Sequence, residues 1–474
     1  MKSLALALLL ALAAPAFAET APPDAPAPSI TKHQLTLAGQ PVDFTATVAA
    51  LPVALADGHP QGEVVATSFT LNGADPATRP VVFAVNGGPG AASAYLDLGA
   101  VGPWRLPFAG PISPSQSPAL IPNDQSWLPF ADLVFLDPPG TGWARVLGGP
   151  AAQKRLWSVS GDIPVLAEAI EHWLAQHHRL ASPKAILGES YGGFRGPRLL
   201  LALRNDGVGV GGLVLISPVL DFGSRNVSND PWPWLTRLPT YAAINRGATD
   251  RAAVADAEAY AVGDFLTDFT HGLADPAATA RMTAHVAALA GLPTATVASH
   301  AGRLGAYTFL RERGAAAGTL GSYYDGTVPA TDPYPERTYT PTADPILDAL
   351  RAPLGTAAAS LYTDTLQWHG PGRYILLSTP IAREWSYGTG ARPNSTDALR
   401  RDLALDPNLR VVILHGLYDL VTPYFATKLL LDQFPPTLTP HLRFVALPGG
   451  HMFYSQDAAR TTLEAQGRWA VTGK

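Results

Sequence analysis

Two hydrophobic patterns divide the chain. Near its start apolar and polar positions alternate, in Gln34-Leu35-Thr36-Leu37, in Val42-Asp43-Phe44-Thr45-Ala46-Thr47-Val48 and from Val64 to Leu71, which predicts antiparallel strands. From Pro80-Val81-Val82-Phe83-Ala84-Val85 onward the alternation gives way to short continuous apolar runs. They recur at Leu133 to Leu136, Ala185 to Leu187, Leu213 to Ile216, Val411 to Leu414 and Arg443 to Leu447. Such runs fit strands covered on both faces, and helical patterns such as Ile163 to His178 separate some of them. The reading is an α/β fold with a mostly parallel central sheet flanked by helices. In sheets of this kind, sites form beyond the C-terminal ends of the strands.

Between about Phe222 and Arg400 the pattern changes to Ala-rich helical stretches, Arg251 to Gly272 and Pro276 to Gly291, followed by a Gly/Tyr/Pro-rich section near Gly321 to Pro341. We read residues 222–400 as a helical insertion, a lid over the strand ends, within a core formed by residues 31–221 and 401–474. The competing reading is a separate domain with its own ligand. The cluster Gly207-Val208-Gly209-Val210-Gly211-Gly212 precedes a strand where a dinucleotide fingerprint must follow one, so it predicts a turn.

Composition narrows the setting. Lys2, the apolar run Leu4 to Ala14 and Ala16-Phe17-Ala18 make a secretory signal peptide over residues 1–18, cut after Ala18, with a disordered Pro/Ala-rich leader over 19–30. The run is too short to span a bilayer comfortably, so no membrane anchor is expected, and the destination is periplasmic or secreted. The 474 residues contain no cysteine, which excludes disulfides, thiol catalysis, zinc fingers and a lipobox tether. A net charge of -5 without a basic patch argues against nucleic acid as partner.

The chemistry concentrates in strand-end loops. Gly188-Glu189-Ser190-Tyr191-Gly192-Gly193 follows an apolar run and precedes a helical stretch, the pattern of a nucleophile elbow, although a surface loop can spell the same letters. A serine hydroxyl needs a base, and the base needs an orienting acid. In the order Ser, Asp, His, the chain offers Asp419 after the run ending at Leu414, and His451 after the run ending at Leu447. Singly, Asp419 reads equally well as a helix N-cap and His451 as a loop histidine; His415 is a competing base out of order. Asn86-Gly87-Gly88-Pro89-Gly90 supplies a glycine loop able to offer backbone donors to an oxyanion. No Gly-Lys-Ser/Thr follows it, against a phosphate loop. Neither a His-Glu-x-x-His nor a ligand-spaced carboxylate set occurs, so no metal and no organic cofactor is expected.

In these motifs taken together, the chain resembles the serine carboxypeptidases of peptidase family S10. The resemblance rests on Asn86 to Gly90, Leu136-Asp137-Pro138-Pro139-Gly140-Thr141-Gly142, Gly188 to Gly193, the Asp419 segment and Gly450-His451-Met452. It implies an α/β-hydrolase fold with a helical insertion and release of C-terminal residues from peptides with a free C-terminus. It assigns Ser190 as nucleophile, His451 as general base and Asp419 as its orienter, the N–H groups of Gly88 and Tyr191 as oxyanion hole, and Asn86 with Glu189 as holders of the substrate carboxylate.

Two departures from the family pattern matter. The second Glu expected before Gly102-Pro103-Trp104-Arg105 is missing, Gly99 and Ala100 standing there, with Asp97 as an offset substitute. Ala91 replaces the usual Cys, in keeping with a disulfide-free bacterial-type branch. The first departure predicts a less acidic optimum. An esterase or acyltransferase using the same triad, and a catalytically silent peptide-binding protein, are the competing functions. Tyr95, Trp104, Trp232, Trp234 and Trp385 are candidates for an apolar pocket, and the sequence carries no signal of oligomeric state or preferred residue.

Overall fold

The computed structural model describes residues 26–474 apart from 55–57, 108–112, 118, 224–228, 338–343 and 391. The expected signal peptide and most of the expected leader lie outside the described residues. Ser29 and Ile30, the last two residues of that expected leader, belong instead to the first strand.

A nine-stranded sheet organises the chain. We label its strands β1 (Ser29–Leu37), β2 (Gln40–Val53), β3 (Gly62–Leu71), β4 (Val81–Val85), β5 (Asp132–Asp137), β6 (Lys184–Glu189), β7 (Gly212–Ile216), β8 (Arg410–Gly416) and β9 (Leu442–Leu447). Their spatial order is β1-β2-β3-β5-β4-β6-β7-β8-β9. The alternating segments are the antiparallel side, β1 on β2, β2 on β3 and β3 on β5, whereas β4 to β9 run parallel. Both faces of β4 to β8 are buried, as the continuous apolar runs require, whereas the edge strand β9 is only half-buried and exposes Arg443. Val82, Ala84, Leu133, Phe135 and Leu187 pack on one side, and Val81, Phe83, Val85, Val134, Leu136 and Ile186 on the other.

Helices cover these faces. Helix α1 (Val159–Gln176) starts where Ser158, in an extended conformation, accepts a hydrogen bond from Gly161 N, so the cap satisfies one of the first-turn donors. Helix α2 (Tyr191–Asn205) leaves β6 through a single residue, Ser190. The expected boundary at residue 400 falls inside helix α3 (Thr396–Leu405), which joins α2 through Ser395 Oγ on Phe194 O and the Arg204–Asp402 ion pair. This helix therefore belongs with the core. Helix α4 (Asp457–Thr472) closes the chain.

The insertion is built in two parts. Leu235 to Leu310 contribute to a helical cluster that packs against Leu417, Leu420 and Tyr424 after β8, while Leu350, Leu354, Leu361 and Trp368 join the core on one face of the sheet. Between them a small hairpin, Thr319–Gly321 with Pro329–Thr331, carries a tip that meets the loops after β8 and β9. Gly326 N donates to Tyr418 O, Leu420 N to Tyr323 O, and His451 N to Tyr324 O at 2.6 Å. Part of the expected lid is thus main-chain bonded to the loops that hold Asp419 and His451.

Candidate active site

The elbow exists because glycine surrounds it. Ser190 has φ 61° and ψ -119°, a left-handed conformation that an L-residue enters only under constraint. Ser190 N is held by Ile216 O at 2.9 Å, and Gly193 N returns to Ser190 O at 2.9 Å. A Cβ at Gly188 would lie 2.1 Å from Gly192 O, and one at Gly192 would lie 2.2 Å from Val85 O. Neither position has room for a side chain. Ser190 stands half-buried at the end of β6, and its hydroxyl has no hydrogen-bond partner among the described residues. Contacts of that kind often tighten only when substrate is bound.

Asp419 and His451 meet on neighbouring strand-end loops, within electrostatic reach of Glu189, the residue before Ser190. His451 Nδ1 is 2.8 Å from Asp419 Oδ2, and both residues are buried. The same Oδ2 accepts the Thr422 hydroxyl at 2.7 Å, and Oδ1 accepts Val421 N and Thr422 N at 2.8 and 3.0 Å. Asp419 is not the helix N-cap, a position held by Pro423 before the helix that starts at Tyr424. Burial pulls the His451 imidazole down, but the charge and hydrogen bond of Asp419, helped by Glu189, leave it above the ordinary histidine value. His415 lies within reach of the charges of both Asp419 and His451, but inside the core. It is wholly buried, neither ring nitrogen has a partner among the described residues, and burial pushes it down to about 4.

The glycine loop after β4 lies against the elbow. A Cβ at Gly87 would come within 2.5 Å of Tyr191 N, so the two chains touch backbone to backbone. Among the described residues, neither Gly88 N nor Tyr191 N donates to a protein acceptor. Tyr191 is the first residue of α2, where an unpaired N–H and the helix dipole both favour negative charge. Arg195 braces the two sides. Its guanidinium donates to Asn86 O, pairs with both oxygens of Asp162 at 2.7 and 3.0 Å, and sits 4.8 Å from the Tyr191 ring.

Asn86 and Glu189 also come together. Asn86 Nδ2 donates to Glu189 Oε2 at 2.7 Å, while Asn86 Oδ1 is fixed by Leu96 N at 3.0 Å. Glu189 is buried, and that burial raises its pKa above the usual carboxylate value even though His451, Tyr454 and Asn86 all favour the ionised form. Its second partner is Tyr454, whose hydroxyl lies 2.9 Å from Oε1 and 3.0 Å from Oε2.

Tyr454, Arg195 and Thr422 were not singled out in the sequence. A tyrosine three residues after the candidate histidine was the available signal for the first. Asp97, the offset substitute, makes no hydrogen bond with Glu189 among the described residues; burial and the charge of Asp137 raise its pKa. Of the aromatic candidates, Trp104 packs in the core against Phe44 and Phe69, and Trp385 meets the Tyr191 ring edge-on at 5.3 Å. Trp232 and Trp234 line a cavity of about 860 Å³ that reaches Thr422. A second cavity, about 900 Å³, reaches Gly450 and Met452 on either side of His451 and is lined by Tyr324, whose ring stands edge-on to the imidazole at 5.3 Å.

An open, mostly parallel sheet with a serine elbow between strand and helix, and an Asp–His pair on later strand-end loops, defines an α/β-hydrolase. Residues 68–208 match the family model described as serine carboxypeptidase, the family that the motifs resemble. Serine carboxypeptidase-like 13 of Arabidopsis thaliana is 28% identical over 170 residues, 35% of this chain and 38% of that protein. Serine carboxypeptidase-like 16 of the same plant is 29% identical over 163 residues, 32% and 36% of the two chains. The alignments span little more than a third of either relative. The crystal structure of Kex1(delta)p, a prohormone-processing carboxypeptidase from Saccharomyces cerevisiae, superposes with a TM-score of 0.58 at 15% identity, over 89% of this chain and 90% of that one. At that identity the likeness speaks for the fold. Among the described residues, no helix is long and apolar enough to cross a membrane.

Proposed function

We propose that the protein is a serine carboxypeptidase that releases C-terminal residues from peptides through an acyl-enzyme on Ser190. His451 takes the serine proton and later returns it to the leaving amine, and Asp419 holds the imidazole in the tautomer that leaves Nε2 free to act. Gly88 N–H and Tyr191 N–H bind the oxyanion, and Asn86 with Glu189 holds the terminal carboxylate of the substrate. The observation that carries this reading is the buried Asn86–Glu189 pair next to the nucleophile, with the Glu189 pKa raised. Ester hydrolysis has no use for such a group. A carboxyl that keeps its proton, by contrast, can donate to a substrate carboxylate.

The test compares the mature protein on an N-blocked dipeptide with a free C-terminus, on its C-terminal amide and on its ester, with Ser190→Ala as control. Preference for the free acid, lost in the variant, is expected. Turnover of the ester alone would make the protein an esterase or acyltransferase. Absence of both turnover and fluorophosphonate labelling in folded protein would leave the peptide-binding role. With a predicted signal peptide and no predicted anchor, we place the activity in the periplasm or outside the cell.

A further inference from the structure

Glu189 is a buried carboxyl, yet the contact from Asn86 reaches only one of its oxygens. The other contact comes from the strand-end loop that carries the base. Tyr454 follows His451 by three residues in a short turn, Phe453–Ser455, and its hydroxyl lies within hydrogen-bond distance of both Glu189 oxygens. The tyrosine is itself fixed. It is 1% exposed, and its carbonyl accepts a hydrogen bond from Arg460 of α4 at 3.0 Å, while Arg460 also reaches Gln125 and Asp457. One loop therefore sets the place of both the imidazole and the carboxyl.

We propose that Tyr454 is a positioning residue for recognition of the substrate's terminal carboxylate, its hydroxyl fixing the Glu189 carboxyl in the orientation that meets the substrate. The proposal rests on the carboxypeptidase reading above. The titratable groups acting on Glu189 are His451 and Asp419 from the loops after β9 and β8, Tyr454, and the hydroxyls of Tyr95 and Tyr324. Burial and the neighbouring Glu189 hold the Tyr454 phenol well above its ordinary value, so it donates at every working pH. A neutral donor favours the ionised carboxyl. Removing it must therefore do two things: free the Glu189 side chain, and let Glu189 keep its proton to higher pH.

The experiment measures kcat/KM for an N-blocked dipeptide acid and for its ester across pH, in wild type and Tyr454→Phe. The His451 titration affects both substrates and cancels in the acid-to-ester ratio, which then reports Glu189. In Tyr454→Phe the low-pH plateau of that ratio is expected to fall several-fold, through KM more than kcat, and its midpoint to move to higher pH. Ester turnover and fluorophosphonate labelling of Ser190 should stay near wild type. 3-Fluorotyrosine at position 454, which keeps the ring and strengthens the donor, should move the midpoint the other way and guards against a folding failure of the Phe variant. An unchanged plateau and midpoint, or an equal loss on acid and ester, would overturn the role of Tyr454 and leave the carboxypeptidase reading standing. A wild-type ratio that shows no preference for the acid would overturn both.

Discussion

Asp419 gives the same carboxylate oxygen to two donors, His451 Nδ1 at 2.8 Å and the Thr422 hydroxyl at 2.7 Å. Thr422 Oγ1 is also 2.9 Å from Ser217 O, so the hydroxyl links Asp419 to the end of β7, the strand next to the one that leads into Ser190. Asp419→Asn would present an amide to the imidazole and favour the wrong tautomer while keeping the shape. We expect kcat to fall by about 10³-fold or more on ester and peptide alike, with KM little changed. Thr422→Val should lose far less, on the order of tenfold, since the His451 contact survives. Steady-state kinetics on both substrates checks the order.

The pH dependence follows from two directions. His451 sits above the ordinary histidine value and must be neutral to act as base, so ester turnover should rise with pH and level off above that value. Glu189 also sits above its ordinary value, and recognition of a free acid requires its proton, so turnover of the acid should fall again on the alkaline side. The outcome is a bell for the acid and a single ascending limb for the ester. Glu189→Gln offers a donor that cannot ionise. It should abolish the alkaline fall for the acid and leave the ester profile as it was, which pH–rate profiles of the variant test directly.

Arg195 and Asp162 form an ion pair in which the side chains are 1% and 3% exposed. Arg195→Leu leaves Asp162 buried without a partner, and a loss of about 3–5 kcal/mol of stability is expected. Removing both charges in Arg195→Met with Asp162→Asn should recover most of that loss. It should not recover turnover, because the Asn86 carbonyl loses the guanidinium that ties the glycine loop to α2. Denaturant melts together with ester kcat separate the two effects. Recovery of both in the double variant would reduce the pair to a packing element.

What the sequence carried was whatever local chemistry dictates. Gly188, Gly192 and Gly193 marked the elbow because no side chain fits there, and the apolar runs marked the strands because both sheet faces are covered. The Ser, Asp, His order was legible because parallel strands deliver their loops to one edge. The rest depended on distance in space. Arg195 read as an ordinary helix residue until its carbonyl partner was placed 109 residues away, and Tyr454 until Glu189 was placed 265 residues away. Asp97 had the right chemistry near the right motif, but it is buried within reach of the charge of Asp137, which burial pushes up to about 7. The boundary expected at residue 400 cuts helix α3 because amphipathic spacing says nothing of which unit a helix packs on.

His415 is the sharpest test of the choice of base. It lies on β8 four residues before Asp419, and by sequence it competes with His451. In the structure it is fully buried, packed 5.9 Å from the Phe444 ring, and held neutral because burial lowers its pKa to about 4. A neutral imidazole whose nitrogens have no partner among the described residues contributes mainly volume, and its polar atoms are a cost in that setting. His415→Leu should therefore keep kcat within a few-fold of wild type, leave the ascending limb of ester hydrolysis where it was, and hold or raise the melting temperature. His451→Ala, in contrast, should remove nearly all turnover. A His415→Leu protein that folds but loses turnover by orders of magnitude would show that His451 is not the base, or not the only one.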